Sequence, residues 1–134
     1  MSPRLMLLRL QKLLGITSNT PTPAIIITGI AMPSYTLAKE LMQRKIATPC
    51  AFIDDQPWTN RTQILGVTIH YPSDLAALVK RQHVAIVVRF DHDITIANTI
   101  WQEVEKTGVQ QIEIPNTASL GWQLKAIMET LKTN

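Results

Sequence analysis

A single cysteine, Cys50, stands among the 134 residues, so the chain cannot build an internal disulfide framework, and the thiol suits a reducing compartment such as the cytoplasm. No apolar run approaches the ~20 residues that a membrane-spanning helix needs. Residues 1–16 have basic flanks, but Arg9 and Lys12 interrupt the leucines and no clean small-residue cleavage site follows, so a signal peptide is not read. Aromatic residues make up only 5% and the net charge is only +3. The basic residues Arg4, Arg9, Lys12, Lys80 and Arg81 are scattered or paired rather than massed with aromatics, which argues against nucleic acid as a partner. His70, His83 and His92 lie far apart and pair with no cysteine at ligand spacing, so no metal site is expected.

What the chain has is one domain's worth of ordinary globular composition, 46% hydrophobic and 17% charged. Ala24-Ile-Ile-Ile-Thr-Gly29 is an unbroken apolar run closed by glycine, which reads as a strand buried on both faces at the centre of a parallel sheet. A short connection, Ile30 to Ser34, leads into a helix over Thr36 to Arg44 with Leu37, Ala38, Leu41 and Met42 on one face. Pro49 to Ile53 is a second strand, ended by Asp54-Asp55. Strand, loop, helix, strand and acid in this order is the arrangement of a dinucleotide-binding unit. Phosphates sit at the helix N-terminus, and the acid accepts ribose hydroxyls. The glycine fingerprint is degraded: its three glycine positions hold Gly29, Ala31 and Ser34, and Pro33 removes an amide donor. Weakened or altered binding is expected. A carboxylate at position 54 repels a 2′-phosphate, which favours an NAD-like ligand over an NADP-like one.

The rest of the chain continues the alternation. Leu5 to Leu14 reads as an amphipathic helix with Arg4, Gln11 and Lys12 opposite its leucines. Its chemistry suits residues 4–14 to docking on the domain or on a second copy as a homodimer, or to peripheral contact with an anionic membrane. Residues 1–16 are thus a helix, 17–23 a Ser/Thr/Asn/Pro linker and 24–134 the folded domain. Gln56 to Thr62 reads as an exposed loop, Ile64 to His70 as a small strand with a turn or bulge at Gly66, and Leu75, Leu78 and Val79 as a helix stripe to about Arg81. Val84 to Val88 is a further buried strand. Asp93 is positioned to cap a helix carrying Ala97, Ile100, Trp101 and Val104, and Gly108 ends it. Gln111 to Ile114 is the last strand, followed by a helix over about Ala118 to Leu131. The fold class is therefore α/β, a Rossmann-like doubly wound, mainly parallel sheet of order 3-2-1-4-5, with an N-terminal amphipathic helix.

Four phrases carry a family resemblance: Ala51-Phe-Ile-Asp-Asp55, Leu65-Gly-Val-Thr-Ile69 with its following helix, Val84-Ala-Ile-Val-Val88, and Gln111-Ile-Glu-Ile-Pro-Asn116. From Ala24 to about Gly121 the chain resembles the Rossmann-type N-terminal nucleotide-binding domain of bacterial polysaccharide-biosynthesis proteins of the nucleotide-sugar epimerase/dehydratase type. The resemblance implies that Gly29, Ala31 and Ser34, with Ile30 between them, form the phosphate loop and that Asp54 meets the ribose. Arg89-Phe90-Asp91 stands where that family has small residues. The family's membrane helices and its catalytic domain have no counterpart in this sequence, so its catalysis is not carried over.

Several residues invite a sharper reading. Tyr35 and Lys39 have the Y-x-x-x-K spacing of short-chain dehydrogenases, but they open the phosphate-loop helix instead of lying far downstream, so no catalytic residue is assigned. Asp55 is either a second ligand contact or a solvated turn residue. Arg89, at the end of a central strand, either binds a phosphate or forms an ion pair with Asp91, Asp93 or Asp54. Cys50 reads as an inert small hydrophobe. The expected function is a non-catalytic nucleotide-binding module of polysaccharide or nucleotide-sugar metabolism. NAD is the first ligand, with a UDP-sugar or coenzyme A as alternatives. The rival is a degenerate Rossmann scaffold that binds a protein partner or dimerises without nucleotide. Either would work in the cytoplasm, or at the membrane periphery.

Overall fold

Three consecutive isoleucines, stiff at χ1 and suited to a pleated surface, set the centre of the fold. In the computed structural model, which describes residues 21–91 and 94–133, they lie in strand β1 (Ala24–Thr28), and Ile25, Ile26 and Ile27 are fully buried. β1 pairs in parallel with β2 (Thr48–Ile53) on one side and β5 (Ile86–Phe90) on the other. The sheet has six strands in the order β3-β4-β2-β1-β5-β6. β4 (Val67–His70) and β6 (Gln110–Ile114) are parallel to their neighbours, and only β3 (Gln63–Ile64) runs antiparallel. With β3 and β4 taken together as the third strand, this is the expected order. Between Ile25 and Ile26 the register of β1 against β2 shifts, leaving Cys50 with no partner on β1 beside Pro49, which has no amide proton to donate.

Alternation along β1 divides the core. Ile25 and Ile27 face helices α1 (Met32–Gln43) and α4 (Leu120–Lys132), packing with Leu37, Ala38, Leu41, Phe52, Val88, Leu124 and Ile127. Ile26 faces α2 (Leu75–Arg81) and α3 (Asn98–Lys106), with Ile53, Leu78, Val79, Val87 and Val104. Full burial of each of the larger of these side chains contributes roughly 1.5–3 kcal/mol, so β1, packed on both sides, anchors both halves. No helix among the described residues is long and apolar enough to cross a membrane.

Five local expectations are corrected. The strand over Ile64–His70 is a hairpin, because Leu65 and Gly66 both take positive φ (55° and 76°) and turn the chain back on itself. α1 begins at Met32 rather than Thr36, since Pro33 is compatible with a helix's first turn, where its missing N–H has no partner to lose. Ala97, not Asp93, is the N-cap of α3. α4 starts at Leu120, capped by Ser119, whose Oγ accepts the Trp122 amide at 3.2 Å. Gln56 to Thr62 is less free than an exposed loop: the Arg61 amide donates to Ile69 O, and Ile69 N–H returns to Thr62 O. The helix expected over residues 4–14 and the linker up to residue 20 lie outside the described residues, as do His92 and Asp93.

Candidate functional site

The carboxyl ends of parallel strands, where the chain leaves for its crossovers, form the edge at which such sheets bind ligands. β1 stands between strands reached in opposite directions, β2 and β5, so the topological switch point lies between β1 and β5. This edge carries every sequence-expected site residue, in two groups.

The first group surrounds the start of α1. Gly29 takes φ 84°, a conformation that an L side chain resists, and its amide donates to Ile53 O at 2.7 Å, extending the β1–β2 ladder. Ile30 is half-buried and packs on the α1–α4 core, while Ala31 is exposed and caps α1 without a side-chain hydrogen bond. Ser34 is fully buried, and its hydroxyl donates back to Thr28 O at 3.2 Å. Its hydroxyl is therefore turned onto the strand rather than toward the space above the helix. Tyr35 N–H bonds Ala31 O, and Pro33 has no N–H, so Met32 and Ser34 are the positions in the first turn that keep amide protons unclaimed by the helix.

Asp54 is 4% exposed at the end of β2, and its Oδ2 accepts the Thr59 hydroxyl at 2.7 Å. Thr59 Oγ1 also lies 2.9 Å from Gln56 O, so the turn after β2 folds onto the acid and fixes its rotamer. Asp55 is exposed and accepts from Gln56 Nε2 at 2.8 Å, a solvated contact.

The second group lies on the α2–α3 side. Arg89 donates from Nη2 to Glu113 Oε2 at 3.3 Å, and its guanidinium carbon is 4.7 Å from the centre of the Trp101 ring. Arg89 and Glu113 are register partners on β5 and β6, which brings the pair together. Glu113 is a partner that the sequence reading did not name, and Asp54, one that it did name, is bonded to Thr59 instead. Thr28, Arg89, Phe90, Asp91, Asn98, Trp101 and Glu113, with Ile94 and Ile96, line a cavity of about 370 Å³. Thr28 joins it to β1, so the cavity stands at the switch point, and its walls mix a cation, two carboxylates, an amide, a hydroxyl and an indole.

Thr28, Asn98, Trp101 and Glu113 were missed in the sequence. Trp101 fits the apolar repeat of α3 and reads as core, yet it is half-buried over Arg89. Glu113 carried a usable signal: strand alternation sets it opposite to Ile112 and Ile114, and parallel pairing of the last two strands puts it beside Arg89. Tyr35 and Lys39 are half-buried and exposed on α1, and neither lines the cavity. Burial pushes the Cys50 thiol up to about 11 against an opposing backbone hydrogen bond, so at neutral pH it is protonated and unreactive.

Comparison with known proteins adds to this geometry. Neither a protein-family model nor a curated protein sequence matches the chain. Among solved structures it is similar to UDP-D-quinovosamine 4-dehydrogenase from Vibrio fischeri, at 28% identity and a TM-score of 0.64 over 75% of this chain and 89% of that one. It is also similar to RSP, a Rex-family repressor, at 14% identity and a TM-score of 0.60 over 97% of this chain and 67% of that one. RSP in complex with beta-NADH gives 16% identity and a TM-score of 0.57. Sheet order, crossovers and these likenesses agree that the chain has a Rossmann-like α/β fold, of the kind seen in nucleotide-binding domains.

Proposed function

We propose that the protein is a non-catalytic module that binds an NAD-type dinucleotide along the carboxyl edge of its sheet, and that it serves polysaccharide or nucleotide-sugar metabolism. The observation that carries this reading is the placement of three features on one edge: the Gly29 turn at the start of α1, the ordered carboxylate of Asp54 at the end of β2, and the cavity at the β1–β5 switch point. A dinucleotide laid across them sets its adenine ribose on Asp54, its diphosphate on the amides of Met32 and Ser34, and its second nucleoside in the cavity beside Arg89 and Trp101. Gly29, Ile30, Ala31 and Ser34 form the phosphate loop. The ligand named with one neighbour, beta-NADH, and the sugar nucleotide substrate named with another support the choice of chemistry. Calorimetry with NAD+, NADH, a UDP-sugar and coenzyme A tests it. The expectation is binding of NAD+ or NADH that Asp54→Asn weakens at least about tenfold, the scale of a hydrogen bond to a charged group. Silence from every ligand up to about a millimolar overturns it.

A second reading has its own support. Gly29 N–H and the Ser34 hydroxyl are already bonded within the protein, Pro33 has no proton to offer, and Arg89 is paired with Glu113. A scaffold that has lost its nucleotide and works through protein contacts accounts for those four facts together. It predicts no nucleotide binding and a partner-dependent or self-associating surface.

A further inference from the structure

The apolar side chains that remain exposed are not spread evenly. Of the five large ones among the described residues, Met32, Met42, Trp58, Trp122 and Met128, four lie on α1 and α4, the helices that cover one face of the sheet. The α2–α3 side carries none of them. On α4, Gln123, Leu124 and Ile127 point into the protein, so a helical period of 3.6 turns Trp122, Lys125, Glu129 and Lys132 outward as one stripe. Trp122 is 47% exposed, and Met128 borders the stripe at 40%. Trp122, Lys125, Ala126 and Glu129 line a shallow hollow of about 220 Å³. Among the described residues neither Lys125 nor Glu129 has an ion-pair partner.

The stripe is complementary to itself. When two copies of a helix pack antiparallel about a two-fold axis, residues equally far in sequence from the level of the axis face one another. With the axis level with Ile127, Lys125 of one copy meets Glu129 of the other, twice, and Trp122 meets Lys132, twice. The first pair is an ion pair, and the second sets an ammonium and its apolar stem against an indole. A shift of the axis by one residue in either direction loses the Lys125–Glu129 match. From this order of charges and the crowding of exposed apolar side chains on α1 and α4, we infer that α4 is the centre of a homodimer interface in which two copies pack antiparallel, with Met32 and Met42 of the neighbouring α1 extending the apolar border. One helix stripe is small against the ≈ 1,600 Å² of a standard interface, so the dimer is concentration-dependent. This inference does not depend on whether the cavity binds a nucleotide.

Sedimentation equilibrium of the full chain, from micromolar to about millimolar concentration, tests it. The wild type is expected to pass from monomer to dimer. Lys125→Glu and Glu129→Lys each set like charges opposite one another at two places and are expected to weaken the dimer at least about tenfold. The double variant Lys125→Glu with Glu129→Lys re-creates both pairs with reversed sign and is expected to restore it. All three changes are at exposed positions, and circular dichroism checks that the fold is intact. A wild type that stays monomeric, a dimer indifferent to either single reversal, or a double variant as weak as the singles would each overturn the inference.

Discussion

His70 shows how a single side chain ties the site's frame to pH. It is 8% exposed at the end of β4, its backbone carbonyl accepts the Asp54 amide at 3.0 Å, and its Nδ1 lies 4.0 Å from Asp74, too far for a hydrogen bond. Burial, then Arg61, hold its pKa below the ordinary 6.5, with Arg81 in the same sense and Asp74 opposing. The folded protein therefore resists a proton that the unfolded chain accepts. The stabilisation is complete above the unfolded value and drains away as pH falls through the lower, folded one. Urea midpoints should fall between about pH 7.5 and about pH 5, and His70→Gln should flatten that slope. Gly29 gives a second prediction at this scale. Ala there must take φ 84°, and Gly29→Ala should destabilise by about 1 kcal/mol or more in a urea titration.

Helix ends decide the next scale. α1 stops in a Schellman arrangement, with Ile46 N–H on Leu41 O and Lys45 N–H on Met42 O, and Lys45 itself sits at φ 55°. α2 does the same with Val84 N–H on Val79 O and His83 at φ 52°. Gly108 takes the same place after α3, at φ 76°. Sequence reading found Gly108, because glycine signals a left-handed residue, and passed over Lys45 and His83, which reach that conformation only because the following isoleucine and valine pack inward. Lys45→Gly and His83→Gly are each expected to raise stability by up to about 1 kcal/mol, measured as the denaturation midpoint at unchanged m. The β3–β4 hairpin was legible only in part, as a turn or bulge at Gly66. Leu65 is a poor residue for φ 55°, yet its side chain packs on the core and holds the turn.

Across the whole molecule, β1 links both cores and the site, so damage to it should be felt everywhere. Ile26→Ala removes a fully buried side chain from the α2–α3 core, and about 2–5 kcal/mol of stability should go with it in a single cooperative transition. If the edge binds a dinucleotide, saturating NAD+ or NADH at about 100 times Kd should add about 2.7 kcal/mol and raise Tm, and Asp54→Asn, binding about tenfold more weakly or worse, should keep no more than about half of the rise. A scaffold without nucleotide shows no shift. The two readings of the site therefore separate in one thermal scan.

Periodicity and order along the chain were enough for the architecture. Three isoleucines in a row, apolar strands alternating with amphipathic helices and an acid after the second strand leave few arrangements except this sheet, because a buried run must be central and crossovers turn one way. What local pattern leaves open is where a polar side chain ends its reach. Ser34 bonding back to Thr28, Thr59 closing on Asp54, and Arg89 lying between Glu113 and Trp101 each bring together residues that are not adjacent in sequence. Those choices depend on strand register and on how closely the helices approach, quantities that exist only once the chain has packed.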